Sequence, residues 1–109
     1  QRSDLYFGRD IPGGGQVSEL AWKAFSDSVI SAYFPGGYTE WDAKGRWKDT
    51  ETKETISEPT KVVTFFGKMS KDRSAAIDSI AQRYLRRFRQ QSVLRTDSKA
   101  KVTFINKTP

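Results

Sequence analysis

The fold is decided by the run KVVTFFG at residues 61–67, in which four of the five positions from Val62 to Phe66 are apolar. Apolar side chains occupy both the odd- and the even-numbered positions of this run. Because these positions point to opposite faces, a strand here would be buried on both faces, which is typical of an interior strand. The run LYFG at residues 5–8 has the same character. The sequence therefore predicts two interior strands, within residues 4–9 and 54–67.

Two segments carry apolar residues at the spacing of one buried helical face. The first predicts a helix from Ser18, a good N-cap residue, to about residue 33. Its apolar stripe consists of Trp22, Phe25, Val29 and Tyr33. The second predicts a helix from Ser70 or Asp72 to about residue 90. Its stripe consists of Ile77, Ile80, Ala81, Tyr84 and Phe88.

Further strands are predicted on either side of the second helix. Residues 38–47 alternate in character as one bent strand or as two strands with a turn at Lys44-Gly45, and Pro59 marks a bulge or an unpaired edge position in the next strand. Residues 92–96 and 101–105 are strand-like around a polar turn, and a polar tail follows at about 106–109. The order β-α-β-β-α-β predicts a single α+β domain over residues 1–109, with a ferredoxin-like antiparallel sheet and two helices on one face.

The other face of that sheet should be polar, but both interior strands carry large apolar residues on both parities. Something is therefore expected to cover it. A second copy of the chain, forming a homodimer through the sheet face, is the most economical cover, because most soluble oligomers are symmetric homo-oligomers. A ligand is the alternative.

The composition excludes several kinds of site. The 109 residues include no Cys and no His, which removes disulfides, thiol nucleophiles and the commonest metal ligand. We predict no catalytic residue, no metal site and no cofactor. The acidic residues of one turn and strand are predicted to form a solvated hairpin rather than a cation site; they are Asp49, Glu51, Glu54 and Glu58.

The positive charge belongs to the C-terminal half. Residues 1–60 hold seven basic and ten acidic side chains, whereas residues 61–109 hold twelve basic and three acidic ones. The densest cluster of basic residues is a candidate binding patch for an anion or a protein partner, although a solvated helix face is the simpler interpretation. It comprises Arg83, Arg86, Arg87 and Arg89. Nucleic acid is disfavoured, because the third strand lacks the aromatic pattern of RNA-reading sheets and the arginines lie behind the sheet.

One further group of residues has the chemistry of a ligand site. Aromatic rings beside cationic donors suit a small anionic or carboxylate ligand, provided that the fold brings them together. The candidate ligand-binding residues are Tyr6, Arg9, Trp41, Trp47, Lys61 and Arg95.

Several of these segments together resemble one bacterial family, domain of unknown function 3574. The resemblance lies in LYFGR at 5–9, IPGGG at 11–15 before a Ser18-x-x-x-Trp22 helix, Asp42-Ala43-x-Gly45-x-Trp47, and QSVLR at 91–95 with Asp97-Ser98. It implies a small secreted, periplasmic or lipoprotein-type envelope protein, so that a removed signal segment or a lipid anchor would precede Gln1. It implies no established activity, and no catalytic residue is carried over.

These observations favour a binding or interaction module without catalytic activity that dimerises through its sheet face. Two alternatives stay open. One is a small-molecule enzyme of the dimeric α+β barrel type, with a substrate held between two sheets by Arg95, Lys61, Tyr6 and Trp41. The other is a nucleic-acid-binding protein that uses the basic helix, for which binding should weaken steeply with salt.

Overall fold

The computed structural model describes residues 1–109 and has an α+β fold, as predicted. In chain order the elements are β1 (Arg2–Gly8), α1 (Glu19–Phe25), a π-helical turn (Ser26–Ile30), α2 (Ser31–Tyr33), β2 (Thr39–Lys48), β3 (Thr55–Phe66), α3 (Lys71–Arg87) and β4 (Leu94–Ser98). Because α1, the π-helical turn and α2 follow one another without a break, the chain has two helical segments. Neither is long and apolar enough to cross a membrane.

The four strands form one antiparallel sheet in the order β2-β3-β1-β4. The two strands with apolar residues on both parities, β1 and β3, are the interior strands, which confirms that prediction. β2 is one continuous strand, and Pro59 of β3 lies in register opposite Lys44 without a bulge. The sheet register thereby selects the single strand at residues 38–47. The prediction of a bulge or an unpaired edge position at Pro59 was wrong, because Pro59 is paired with Lys44 in regular register within an interior strand.

The core lies between one face of the sheet and the helices. Leu5 and Phe7 of β1 and Val63 and Phe65 of β3 supply the sheet side, all at most 1% exposed. The helices supply Trp22, Phe25, Ile30, Ile77, Ile80 and Tyr84. Full burial of each such side chain stabilises the fold by about 1.5–3 kcal/mol.

Tyr84 joins this core to the end of β1. Its ring packs edge-on against Phe7 and Phe25, with centroid separations of 4.7 and 5.3 Å. Its hydroxyl donates a 2.6 Å hydrogen bond to the carbonyl of Gly8. Burial, reinforced by the charge of Glu58, raises the pKa of the Tyr84 phenol well above its ordinary value. The phenol therefore stays neutral and holds the end of β1 in place.

Both predicted helix caps are present, but the stripe of the first helix shifts along its length. Ser18 accepts a hydrogen bond from the amide of Ala21, and Ser70 accepts one from the amide of Arg73, each at 3.0 Å. The π-helical turn places an additional residue in the turn after residue 25 and so shifts the buried stripe, with the result that Ile30 is fully buried whereas Tyr33 is 39% exposed. The inclusion of Tyr33 in the buried stripe was therefore wrong.

The C-terminal strands also differ from the prediction. A single strand, β4, replaces the two strands expected at 92–96 and 101–105, and the expected turn residues Asp97 and Ser98 belong to it. Ser98 pairs with Arg2, where β1 begins. Residues 101–105, expected as a strand, lie outside the helices and strands.

Candidate functional site

The face of the sheet that carries no helix is rich in apolar side chains. Neighbouring residues of a strand point to opposite faces, and directly paired residues share a face. The register therefore places one set of side chains opposite the core: Tyr6, Trp41, Trp47, Ile56, Val62, Phe66 and Leu94. Trp41 is 51% exposed, Trp47 47% and Leu94 60%. We call this surface the open sheet face; its outer side chains are exposed, whereas Val62 at its centre is only 8% exposed.

A chain of hydrogen bonds fixes Trp41 on the open sheet face. Its indole Nε1 donates to Oγ1 of Thr64 at 2.9 Å, and the Thr64 hydroxyl donates to Oδ1 of Asp4 at 2.5 Å. The guanidinium of Arg2 closes the chain with a 3.0 Å contact to Oδ2 of Asp4. Asp4 is only 6% exposed, and these partners satisfy its buried oxygens. Trp41 is thus a positioned ring rather than a mobile surface side chain.

A cavity of about 590 Å³ lies at one end of the open sheet face. We call it the sheet cleft. Its walls include the aromatic rings of Tyr6 and Trp47 and the side chain of Leu94, and Gly8, Gly45, Glu58 and Thr60 line the cavity between them. Two loops, 10–12 and 90–92, complete the lining. This volume lies within the range of small-molecule sites.

Glu58 is one of the two acidic residues that line the sheet cleft, together with Asp10 of the rim. Its Oε2 accepts a 2.9 Å hydrogen bond from the backbone amide of Asp10, and no protein donor contacts Oε1. The carboxyl group lies against Gly8, where a Cβ atom would come within 2.6 Å of either oxygen. Burial raises the pKa of Glu58 above its ordinary value; the hydrogen bond from the Asp10 amide opposes this shift, and the charge of Asp10 adds to it. A carboxylate with one free oxygen therefore faces the cleft.

The loops at the rim of the sheet cleft are tied to each other and to the sheet. Nε2 of Gln90 donates to the carbonyl of Asp10 at 2.8 Å, which joins the two loops. The amide of Arg9 donates to the carbonyl of Pro59 at 2.9 Å. Because these bonds hold the rim in the free protein, a ligand would pay little entropy to order it.

The predicted ligand residues divide between the two faces of the sheet. Tyr6 and Trp47 line the sheet cleft, and Trp41 lies on the same face. Lys61 pairs with Phe7 and Arg95 pairs with Leu5, which places both cations on the core side. The structure therefore does not bring them together with the tryptophans.

Each of these two cations has carboxylate partners. Lys61 Nζ lies 2.6 Å from Asp42 and 3.1 Å from Glu19, and Arg95 lies 2.8 Å from Asp78 and 3.2 Å from Asp97. Burial lowers the pKa of Lys61, but the hydrogen bonds to Asp42 and Glu19 outweigh it and raise the pKa overall. Both cations thus hold helices against the rim of the sheet.

Arg9 has a local structural role. Its Nε donates to the carbonyl of Val17 at 2.9 Å, and its Nη1 lies 2.9 Å from Glu19. Its side chain is only 13% exposed. Arg9 thus braces the loop that precedes α1 and does not line the sheet cleft.

The predicted arginine patch lies on the helical layer, away from the open sheet face. Arg83, Arg86 and Arg87 line a groove of about 580 Å³ together with Phe25, Ser28 and Val29. Arg89 does not line it and has a left-handed backbone, with φ of 52°. None of the four forms an ion pair, and the Arg87 guanidinium lies 5.9 Å from the Phe25 ring centre. The patch stays a prediction.

Sequence reasoning missed Glu58 and Gln90 as parts of the site. Glu58 was expected in a solvated hairpin, but it is half-buried within β3. The available signal was the pair of glycines at 8 and 45, because small residues on neighbouring strands leave room for a side chain between them. No local pattern marks Gln90, whose role depends on a loop 80 residues away.

Comparison with known proteins gives a family and a fold. The profile of one family, described as protein of unknown function (DUF3574), matches residues 2–104, which confirms the resemblance. A phage SAM lyase in complex with S-methyl-5'-thioadenosine is similar in structure, with a TM-score of 0.63 and 11% identity over 86% of this chain and 76% of that chain. Phage SAM lyase in the apo state gives 0.62 and 13% over 86% and 75%. A search of the curated proteins gave no significant match. At these identities the structural likeness shows the fold alone.

Proposed function

The chain belongs to the DUF3574 family, and we propose that it binds a small molecule with a flat aromatic ring in the sheet cleft. The observation that carries this proposal is Glu58, a half-buried carboxylate with a raised pKa that lines one cavity with Tyr6 and Trp47. Groups whose pKa is shifted by burial cluster at functional sites, and aromatic rings with a few polar groups are the usual lining of ligand cavities.

The chemistry of the cleft favours a nucleoside ligand. A purine ring can stack on Trp47 or Tyr6, while the free Oε1 of Glu58 accepts a hydrogen bond from a ribose hydroxyl. The same carboxylate and rings also attract a positively charged sulfur, as in SAM. The fold likeness to a phage SAM lyase in complex with S-methyl-5'-thioadenosine supports this ligand class. We therefore infer an adenosine-type ligand with a sulfur substituent.

The proposal includes a second copy of the chain. The open sheet face exposes about half of Trp41, Trp47 and Phe66 and 60% of Leu94. Face-to-face stacking of two copies would remove this surface from water and roof the sheet cleft. A homodimer is thus the arrangement in which the ligand is enclosed.

The fold family and the location of the protein belong to the same proposal. We interpret the sheet as ferredoxin-like, supported by the element order β-α-β-β-α-β and by the strand order, which is β4-β1-β3-β2 from the other edge. An envelope or secreted location rests on the sequence resemblance described above.

Calorimetric titration with S-methyl-5'-thioadenosine tests the binding function. We expect saturable binding that the change Glu58→Gln weakens by about tenfold, because a hydrogen bond to a charged group contributes about 1.5–3 kcal/mol and the neutral bond that Gln can still form contributes about 0.5–1.5 kcal/mol. The matched control is Glu54→Gln, at an exposed residue just before β3, and this variant should bind as the parent does. Absence of binding, or equal losses in both variants, would contradict the proposal.

An enzyme that acts on the same ligand is the second candidate. The fold likeness to a lyase and the perturbed carboxylate favour it. Tyr6 and Glu58 would face the substrate, whereas Lys61 and Arg95 lie on the other side of the sheet. Incubation with SAM, followed by chromatographic detection of S-methyl-5'-thioadenosine, separates the candidates: product that depends on Glu58 supports an enzyme, and tight binding without product supports a binding module.

A further inference from the structure

Large apolar side chains are exposed together at the end of the sheet that lies farthest from the sheet cleft. Phe66, Val102 and Phe104 line a cavity of about 330 Å³ with Ala100 and Lys68. Phe66 is 51% exposed, Val102 45% and Phe104 85%. Their sequence neighbours Met69 and Ile105 are 65% and 95% exposed. We call this surface, formed by residues 66–71 and 99–107, the basic apolar tip.

The C-terminal part of this tip forms no hydrogen bond with the rest of the chain. Residues 99–107 lie outside the helices and strands and make no hydrogen bond through backbone or side chain. Apolar residues on a segment without internal partners indicate that the segment has an external one, because monomeric proteins rarely expose large contiguous apolar surface.

The charge of the tip has one sign. Its two segments carry five lysines and no acidic residue, and none of the lysines forms an ion pair. They are Lys68, Lys71, Lys99, Lys101 and Lys107. The apolar side chains thus lie among unpaired ammonium groups, a combination that is complementary to an apolar layer beneath an anionic surface.

We propose that the basic apolar tip docks on the surface of an anionic lipid bilayer, with Phe104 and Ile105 inserted among the headgroups. Lysine ammonium groups on flexible stems reach the lipid phosphates while aromatic and aliphatic side chains enter the interface. A contact between two identical tips would place five lysines against five lysines, which like-charge repulsion opposes. A fluid surface also requires no shape complementarity from a segment that lacks regular structure.

The docking has a consequence for orientation. Arg2, which pairs with Phe66 and Ser98, lies at the tip end of β1, and Gly8, which lines the sheet cleft, lies at the other end. A tip held on a bilayer therefore leaves the sheet cleft facing away from the lipid. The proposal does not depend on which ligand, if any, the cleft binds.

Sedimentation with vesicles tests the proposal. The protein is mixed with vesicles of phosphatidylglycerol and phosphatidylcholine, and in parallel with vesicles of phosphatidylcholine alone. We expect binding to the anionic vesicles only. The double change Lys99→Gln with Lys101→Gln should weaken it roughly 25-fold, at roughly fivefold for each lysine near the surface. The double change Phe104→Ser with Ile105→Ser should weaken it by about tenfold or more.

Matched controls carry the same changes elsewhere. Lys44→Gln with Lys48→Gln removes two exposed lysines of β2, and Leu20→Ser removes a side chain that is 79% exposed on α1. Both should bind vesicles as the parent does. Equal losses in the control and tip variants, or equal binding to neutral vesicles, would overturn the proposal. Light scattering that shows a smaller particle for Phe104→Ser with Ile105→Ser would also overturn it, because a second copy would then cover the tip.

Discussion

The Glu58 carboxyl group occupies the space that a side chain at Gly8 would need, with 2.6 Å between either carboxyl oxygen and an ideal Cβ at position 8. The Glu58 carboxyl group can therefore occupy its place in the sheet cleft only because position 8 of β1 is a glycine. The two residues are 50 positions apart in the sequence and meet only because β3 pairs with β1.

The change Gly8→Ala should displace the Glu58 carboxyl group and break its hydrogen bond to the Asp10 amide. We expect a loss of about 1–3 kcal/mol in the free energy of unfolding, the cost of leaving a polar partner unsatisfied, measured by urea denaturation. Gly36→Ala is the control, since nothing lies within 4 Å of an added Cβ there. Glu58→Ala removes both the clash and the hydrogen bond, so Gly8→Ala should cost little further stability in a Glu58→Ala background. An equal cost of Gly8→Ala in the parent and in that background would contradict the steric explanation.

Glu58 should also make stability depend on pH. Its pKa is raised in the folded state by burial first and by the charge of Asp10. The folded protein therefore binds the proton more tightly than the unfolded chain does, and stability falls as pH rises from the ordinary carboxyl pKa through the raised one. The urea midpoint of the parent should fall across that window relative to Glu58→Gln, whose side chain does not titrate. A difference between the two proteins that stays constant with pH would contradict this assignment.

The chain of hydrogen bonds from Trp41 through Thr64 to Asp4 predicts that the small change Thr64→Val lowers stability substantially. Thr64→Val keeps the shape of the side chain but leaves Asp4 and the Trp41 indole without their shared partner. We expect a loss of about 1–3 kcal/mol in the free energy of unfolding, together with a shift in tryptophan fluorescence. Thr96→Val is the control, because Thr96 pairs with Asp4 on the same face but is exposed and makes no side-chain hydrogen bond. Equal effects of the two changes would mean that the hydrogen bonds of Thr64 contribute nothing.

The sheet and its interior strands could be predicted because their signals are local. Apolar residues on both parities identified β1 and β3, and Ser18 and Ser70 each cap a helix through an amide three residues away. The misplaced Tyr33 shows the limit of periodicity: the pattern assumes a constant helical pitch, and the π-helical turn changes it.

The site could be predicted only in part, because it depends on the register between strands. Tyr6 and Trp47 were identified as aromatic residues that suit a ligand. The sheet face on which Lys61 and Arg95 lie depends on their pairing with Phe7 and Leu5. A shift of the strand register by one residue would place both side chains on the opposite face. Glu58 depends on both a neighbouring strand and a loop, so no local pattern distinguishes it from the acidic residues before it.

The last prediction concerns the cover of the open sheet face. Tyr6 lies in the middle of that face on an interior strand, so Tyr6→Glu would bury a charge if a second copy stacks there. We expect light scattering to give the mass of a dimer for the parent and of a monomer for Tyr6→Glu, with ligand binding weakened in parallel because the variant loses both the ring that lines the sheet cleft and the roof supplied by the second copy. Leu20→Glu, at an exposed apolar residue of α1, should leave the mass unchanged. A monomeric parent that binds the ligand would instead mean that the open sheet face acts alone, with Trp41 and Trp47 as its stacking surfaces in solution.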